Sequence, residues 1–189
     1  MSVPIPQIAD RRSSRSFSSD PVPANVVEAL VEAFRWAPSA TNRQPWRLLV
    51  VDDAQGHAAF DAALVEANRA WAPAAPLKFV VLGNPEEQDA DFGQQRWLLD
   101  CGLALGQLLI QACNSGLNVR PMAGFDENKV LAGFTIPVPF RVAALVACGY
   151  PGKPEDLTEA IRSKEQRPRV RKAVEDIVHW NVFGQVQKL

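Results

Sequence analysis

Two periods of apolar spacing run through the chain. Val26, Val27, Leu30, Val31 and Phe34 recur at helical spacing behind the turn Asp20-Pro21-Val22-Pro23. They predict a helix that reaches about Trp36 and is stopped by Pro38. Ala37 to Pro45 combines two prolines with a cluster of turn formers and is expected to be irregular. Trp46–Val51 and Phe79–Leu82 are short apolar runs suited to strands, the second halted by Gly83-Asn84-Pro85. Between them, Ala54–Glu66 is alanine-rich and reads as a helix. Asn118–Met122 predicts a short strand, Asp126–Leu131 a short helix with Asp126 as N-cap, and Val142–Cys148 a strongly apolar strand ending at Gly149-Tyr150-Pro151. Beyond it the chain is basic and then mixed, with a helix-like stretch at Ala173–Val178.

Arg96–Ser115 breaks the amphipathic pattern. It is apolar nearly all round, with Gly102, Ala104 and Gly106 as small contact positions, as in a helix buried on every side. In a chain of this size, that suggests a core shared with a second subunit. Strands and helices alternate, but the strands are few and short. The pattern fits an α+β fold or a small three-layer α/β/α sandwich. With no repeats, low-complexity tracts or linker, residues 1–189 read as a single domain.

Composition narrows the partners. The 189 residues carry 20 Lys and Arg against 21 Asp and Glu, so there is no long-range attraction for nucleic acid or membrane. Cys101 and Cys113 fall in one expected helix about 18 Å apart, beyond disulfide reach. With Cys148 they read as reduced thiols of a cytoplasmic protein. The start, MSVPIPQIADRR, has no apolar core of a secretory leader. Cys101–Cys113 is too short for a membrane span and contains Gln107 and Gln111.

His57 and His179 lie far apart without ligand-spaced neighbours, so no metal site is expected. G-x-S-x-G, the P-loop and G-x-G-x-x-G are absent from the sequence. Side chains alone offer no apparatus for covalent or general-base catalysis, and a cofactor is the expected carrier of any chemistry. Three polar clusters remain. Arg11-Arg12-Ser13-Ser14-Arg15 suits a phosphate through guanidinium forks and hydroxyls, and reads equally as a solvated basic stretch. Pro38-Ser39-Ala40-Thr41-Asn42-Arg43-Gln44-Pro45 offers neutral donors and acceptors for the edge of a planar heterocycle, or a loop satisfying its own backbone. Arg169 and Arg171, amid Arg162, Lys164, Arg167 and Lys172, form a basic surface. Together with the first cluster, they could converge on one dianion.

These stretches together resemble the nitroreductase family of flavoproteins. Arg11-Arg12-Ser13-Ser14-Arg15-Ser16-Phe17 is similar to its N-terminal signature, and Ala37–Trp46 to its second motif. Pro121-Met122-Ala123-Gly124-Phe125-Asp126, the strand into Gly149-Tyr150, and Arg169-x-Arg171 follow in order across almost the whole chain. The resemblance implies an α+β, nitroreductase-like three-layer α/β/α sandwich. Its central sheet would be mostly antiparallel and the molecule an intertwined homodimer. It further implies that Arg11, Arg12, Ser13 and Arg15 hold the FMN phosphate and the pyrimidine side of the ring, with Arg169 and Arg171 completing the phosphate site. Pro38, Ser39, Ala40 and Asn42 would approach the same flavin from the other subunit. The backbone N–H of Gly124 would face flavin N5 with Ala123 beside it and Asn68 near the ring, and residues from about 155 to 189 would pack on the partner. The implied activity is ping-pong hydride transfer from NAD(P)H through FMN to a small electron-poor acceptor such as a nitroaromatic or quinone. Dehalogenation, ring dehydrogenation, enone reduction and a non-catalytic FMN-binding module remain alternatives. Ala123 departs from the larger or acidic residue often seen before that glycine. The short link from Leu82 to Trp97 suggests an open flavin face.

Overall fold

The computed structural model describes residues 3–88 and 95–187, so much of the link between Leu82 and Trp97 lies outside the described residues. Its centre is β2 (Leu77–Gly83), every residue of which is buried. β2 pairs antiparallel with β1 (Trp46–Val51) on one side and β4 (Arg141–Gly149) on the other. β3 (Asn118–Met122) pairs antiparallel with β4, giving the order β1-β2-β4-β3.

The pleat divides the core in two. Leu77, Phe79 and Val81 point into a cluster with Leu30 and Phe34 of α2 (Ala24–Arg35) and with Trp97, Ala104 and Leu108 of α5 (Arg96–Asn114). Val80 and Leu82 point the other way, toward Phe60 of α3 (Ala54–Ala63) and Val130 of α6 (Glu127–Gly133). Helices on both faces make the sheet the middle of three layers. This explains why β2 and β4 read as continuous apolar runs instead of alternating ones. Packing of α5 onto the end of β2 is tight: a Cβ on Gly83 would stand 2.2 Å from Trp97 Cε3. Among the described residues, no helix is long and apolar enough to cross a membrane.

The structure departs from the sequence pattern in three places. The expected helix over 54–66 splits into α3 and the four-residue α4 (Glu66–Arg69). Leu64 leaves the helix to form an antiparallel bridge with Phe125, Asp126 N donating to Ala63 O at 2.8 Å and Val65 N to Gly124 O at 3.3 Å. Two short helices, α1 (Pro6–Asp10) and α7 (Glu159–Glu165), form where no apolar period announced them, while the stretch 173–178 yields one 3-10 turn at Val174–Asp176. Finally, α5 buries only one stripe within the chain, Trp97, Cys101, Ala104, Leu108 and Ala112. Leu105 and Leu109 pack at the edge of that core, whereas Leu99 is 65% and Leu103 41% exposed. One chain therefore does not bury this helix on all sides.

A charged group also sits inside the α3 layer. Lys78 of β2 has no exposed surface, its Nζ donates to Asp61 Oδ1 at 2.8 Å, and it lies 5.4 Å from the centroid of the Phe60 ring. One turn before Asp61, the half-buried His57 has a sealed Nε2 with no partner among the described residues. Burial of the ring pulls its pKa below the ordinary value and the Lys78 charge pulls the same way, while Asp61, the Val51 backbone and Asp53 push upward without prevailing. A folded-state pKa below the unfolded one means that the unfolded chain takes up this proton first as pH falls. Stability from this site is thus present above the unfolded pKa and lost as pH drops through the folded one. Urea midpoints at about pH 7.5 and about pH 5.5 should fall further for the native chain than for His57→Gln. Parallel losses in the two proteins would contradict this role.

Candidate functional site

The N-terminal segment is held in an extended path beside β3 and the end of β4. Ser18 N donates to Tyr150 O at 2.9 Å, Gly152 N to Ser16 O at 3.3 Å, and Asn118 Nδ2 to Ser16 O at 3.0 Å. Approach at Gly152 is so close that a Cβ would lie 2.5 Å from the Phe17 carbonyl, so only glycine fits there. Ser14 and Ser16 turn inward, leaving Arg11, Arg12, Ser13 and Arg15 on the outer side.

The other end of the chain is tied onto this segment. Ile161 anchors α7 in the core, and Glu165, its last residue, accepts from Arg15 N at 3.1 Å and pairs with Arg15 Nη1 at 3.5 Å. Arg12 Nη2 donates to the carbonyls of Glu165 and Arg167, each at 3.1 Å, and Arg169 donates to the Ala9 carbonyl. Between the two ends lies a cavity of about 210 Å³ lined by Arg11, Arg12, Ser13, Arg15, Lys164, Glu165, Arg169 and Arg171. Six cationic side chains thus face a single carboxylate. The pKa of Arg11 is lowered by burial first and then by the neighbouring charges of Arg169 and Arg171. Like charges held this close form a site that an anion relieves. Arg11, Ser13, Arg169 and Arg171 are brought together as the sequence suggested. Arg12 and Arg15 line the same cavity with part of their donor sets committed to the C-terminal segment.

Gly124 and Asn68 also meet. Asn68 Nδ2 donates to Gly124 O at 3.0 Å, and a Cβ on Gly124 would stand 2.8 Å from Val65 Cγ2 and 3.0 Å from Asn68 Nδ2. The Gly124 N–H has no acceptor among the described residues, and Ala123 beside it is exposed. The loop from Pro38 to Asn42 lies elsewhere. Ala40 N donates to Asp100 Oδ1 at 3.3 Å near the N-terminal end of α5, and Gln44 N donates to Ser39 Oγ at 2.9 Å. Thr41 and Asn42, and Gln44 beyond a right-handed Arg43, adopt φ of 49°, 57° and 52°, left-handed values that non-glycine residues rarely take. The cationic cavity belongs to the other end of α5, where Gln7 Nε2, four residues before Arg11, donates to Asn114 Oδ1 at 3.0 Å. From Asp100 to Asn114, α5 covers about 21 Å at 1.5 Å per residue. Within one chain the loop and the cavity stand at opposite ends of that helix.

Residues 8–150 match the model of the nitroreductase family. The chain belongs to the nitroreductase family. A protein from Thermus thermophilus named NADH dehydrogenase is 32% identical over 90% of this chain and 92% of its own length. A solved oxidoreductase containing FMN superposes with a TM-score of 0.86 at 27% identity, covering 98% of this chain and 96% of that one. An FMN-dependent nitroreductase from Clostridium difficile R20291 shares the fold with a TM-score of 0.73 at 19% identity, over 95% and 99% of the two chains.

In this nitroreductase-family chain, two residues at the site escaped the sequence reading. Asp100 is the only acid in a mostly apolar helix, a signal that could have marked it; buried, it holds the Ala40 end of the strained loop. Glu165 sits in a run of charges and carried no distinguishing mark. The packing around Gly124 makes a direct test. Gly124→Ala must displace Val65 or break the Asn68 bond, and should cost about 1–3 kcal/mol of stability as overpacking does. A thermal midpoint equal to that of the native chain would show that this loop is looser than the contacts imply.

Proposed function

We propose that this nitroreductase-family chain is an FMN-dependent oxidoreductase that works as a homodimer with shared sites. The carrying observation is the meeting of Arg11 with Arg169 and Arg171, from opposite ends of the chain, around Ser13 in one cavity. A cavity of about 210 Å³ is smaller than the ~300–1,000 Å³ that encloses a whole small ligand, so it suits one end of a molecule. Its excess of cations suits a phosphate dianion. Similarity to the FMN-containing oxidoreductase and to the relative named NADH dehydrogenase supports the same reading.

In this reading Arg11, Arg169, Arg171 and Ser13 hold the phosphate of FMN. The N–H of Gly124, which has no acceptor among the described residues, would be the donor for N5 of the ring, a contact that would favour the electron-rich reduced form. Asn68 keeps that strand end in place by bonding Gly124 O. Bound FMN would supply two-electron chemistry, taking hydride from NAD(P)H and delivering it to a small electron-poor acceptor. The residues of this chain position the two reactants in turn, which lowers the barrier through orientation.

The outer side of α5 supports the dimer. Its outer face is an apolar groove of about 510 Å³ that includes Ala33, Leu103 and Ile110, and a Cβ on Gly102 or Gly106 would meet nothing within 4 Å. An antiparallel second copy of α5 on this face covers the groove. It also brings the Pro38–Asn42 loop of one subunit to the cationic end of the other. Ile177, Val182 and Phe183, exposed on the C-terminal segment, are then available to pack on the partner.

The purified protein should be yellow and release FMN on heating, and NAD(P)H should bleach its visible absorbance. Arg171→Glu should weaken FMN by more than the ten- to hundred-fold that loss of a charge-assisted bond of about 1.5–3 kcal/mol implies. Lys172→Glu, one residue away and outside the cavity, should retain the cofactor. FMN that is bound but never bleached by NAD(P)H would leave a flavin store in place of an enzyme. Equal and slight effects of the two substitutions would reduce the cavity to a solvated basic surface.

A further inference from the structure

Arg120 stands out among the charged residues that the proposed chemistry does not use. It is the third residue of β3, opposite Ala147 of β4, which in turn lies opposite Lys78 of β2. That register places it on the face of the sheet covered by α3 and α6, where it is half-buried. Its guanidinium carbon lies 5.1 Å from the centroid of the Trp71 ring, and Trp71 is stacked on Phe17 at 6.2 Å. Its Nη1 donates to the carbonyl of Ser13. Burial and the charge of Arg15 both lower its pKa while Glu165 opposes them, so the charge is kept there against desolvation and repulsion. An arginine stays protonated in such a setting, which makes the position costly unless its contacts serve something.

Those contacts define a short chain of bonds. Arg120 holds the carbonyl side of Ser13, while Arg11 Nη1 donates to Ser13 Oγ at 3.1 Å. With its carbonyl fixed toward the sheet, Ser13 presents its hydroxyl and Arg11 to the cavity. Without that bond the exposed Ser13 peptide is free to turn its oxygen, the negative end of the dipole, toward a bound anion. We propose that Arg120 is the positioning residue of the anion site, acting through Ser13, and that it makes the site select flavins carrying a phosphate over those that lack one. The inference rests on the FMN reading above and adds a residue that neither the sequence motifs nor the cavity lining identified.

The test is equilibrium binding of FMN and of riboflavin to the full chain and its variants. Arg120→Met keeps the apolar stem and removes the donors; FMN affinity should fall on the order of ten-fold or more, with riboflavin nearly unchanged. Arg120→Lys, which can still donate to the Ser13 carbonyl, should recover most of the loss. In a Ser13→Ala background, Arg120→Met should lose less FMN affinity than it does alone, because the hydroxyl it helps to present is gone and only the carbonyl it restrains remains. Losses of FMN and riboflavin in step, or losses that multiply in the double variant, would overturn the proposal. A native chain that binds no FMN at all would instead overturn the flavin reading. The same variants titrated with inorganic phosphate then decide the role of Arg120: weaker phosphate binding in Arg120→Met sustains it, and unchanged binding overturns it.

Discussion

Everything at the proposed site depends on crowding positive charge into one place. Arg11, Arg169 and Arg171 repel one another, and no element of secondary structure would gather them unaided. The fold gathers them by fastening the two ends of the chain together. Backbone bonds hold the N-terminal segment against Tyr150 and Gly152, and the C-terminal segment is tied onto it through Glu165, the Arg12 bonds to two carbonyls and the Arg169 bond to Ala9. Glu165 is the one anion within this ring, and it is taken up by Arg15. The remaining charge is unbalanced, and that imbalance is the ground for proposing a dianion there.

The second constraint is the length of α5. A helix of 19 residues spans the subunit from the strained loop at Ala40 to the basic cavity near Asn114. It buries a single stripe against the sheet and leaves Leu99 and Leu103 to solvent. Two deficits of one chain, an uncovered apolar face and a loop far from the cavity, would both be corrected by the proposed pairing with a second copy. The strain at Thr41, Asn42 and Gln44 fits a loop shaped for a neighbour and not for its own backbone.

Some of this was legible in the residues and some was not. β1, β3 and α5 were readable almost to the residue, because an apolar run bounded by turn formers depends on little beyond itself. The break at Leu64 was invisible, since a bridge to Phe125, 61 positions away, outcompetes a good helical sequence. α1 and α7 are too short and polar to announce themselves, and tertiary bonds create them. At the site, the clusters Arg11–Arg15 and Arg169–Arg171 were each ambiguous alone; their charge and their place at opposite ends of the chain suggested that they meet, and the fold brings Arg11, Arg169 and Arg171 to one cavity. Asp100 and Arg120 act through single bonds to backbone, which no spacing encodes.

The shared site can be tested in mixed dimers. One chain carries Arg171→Glu, which damages its own cavity; the other carries Ala40→Trp, which damages the loop it lends. Each variant alone should form dimers without FMN. Co-expressed and purified through two different tags, the mixed dimer pairs an intact cavity with an intact loop once and should hold one FMN per dimer. A mixed dimer as empty as both parents would contradict the account, because each site would then be built within a single chain.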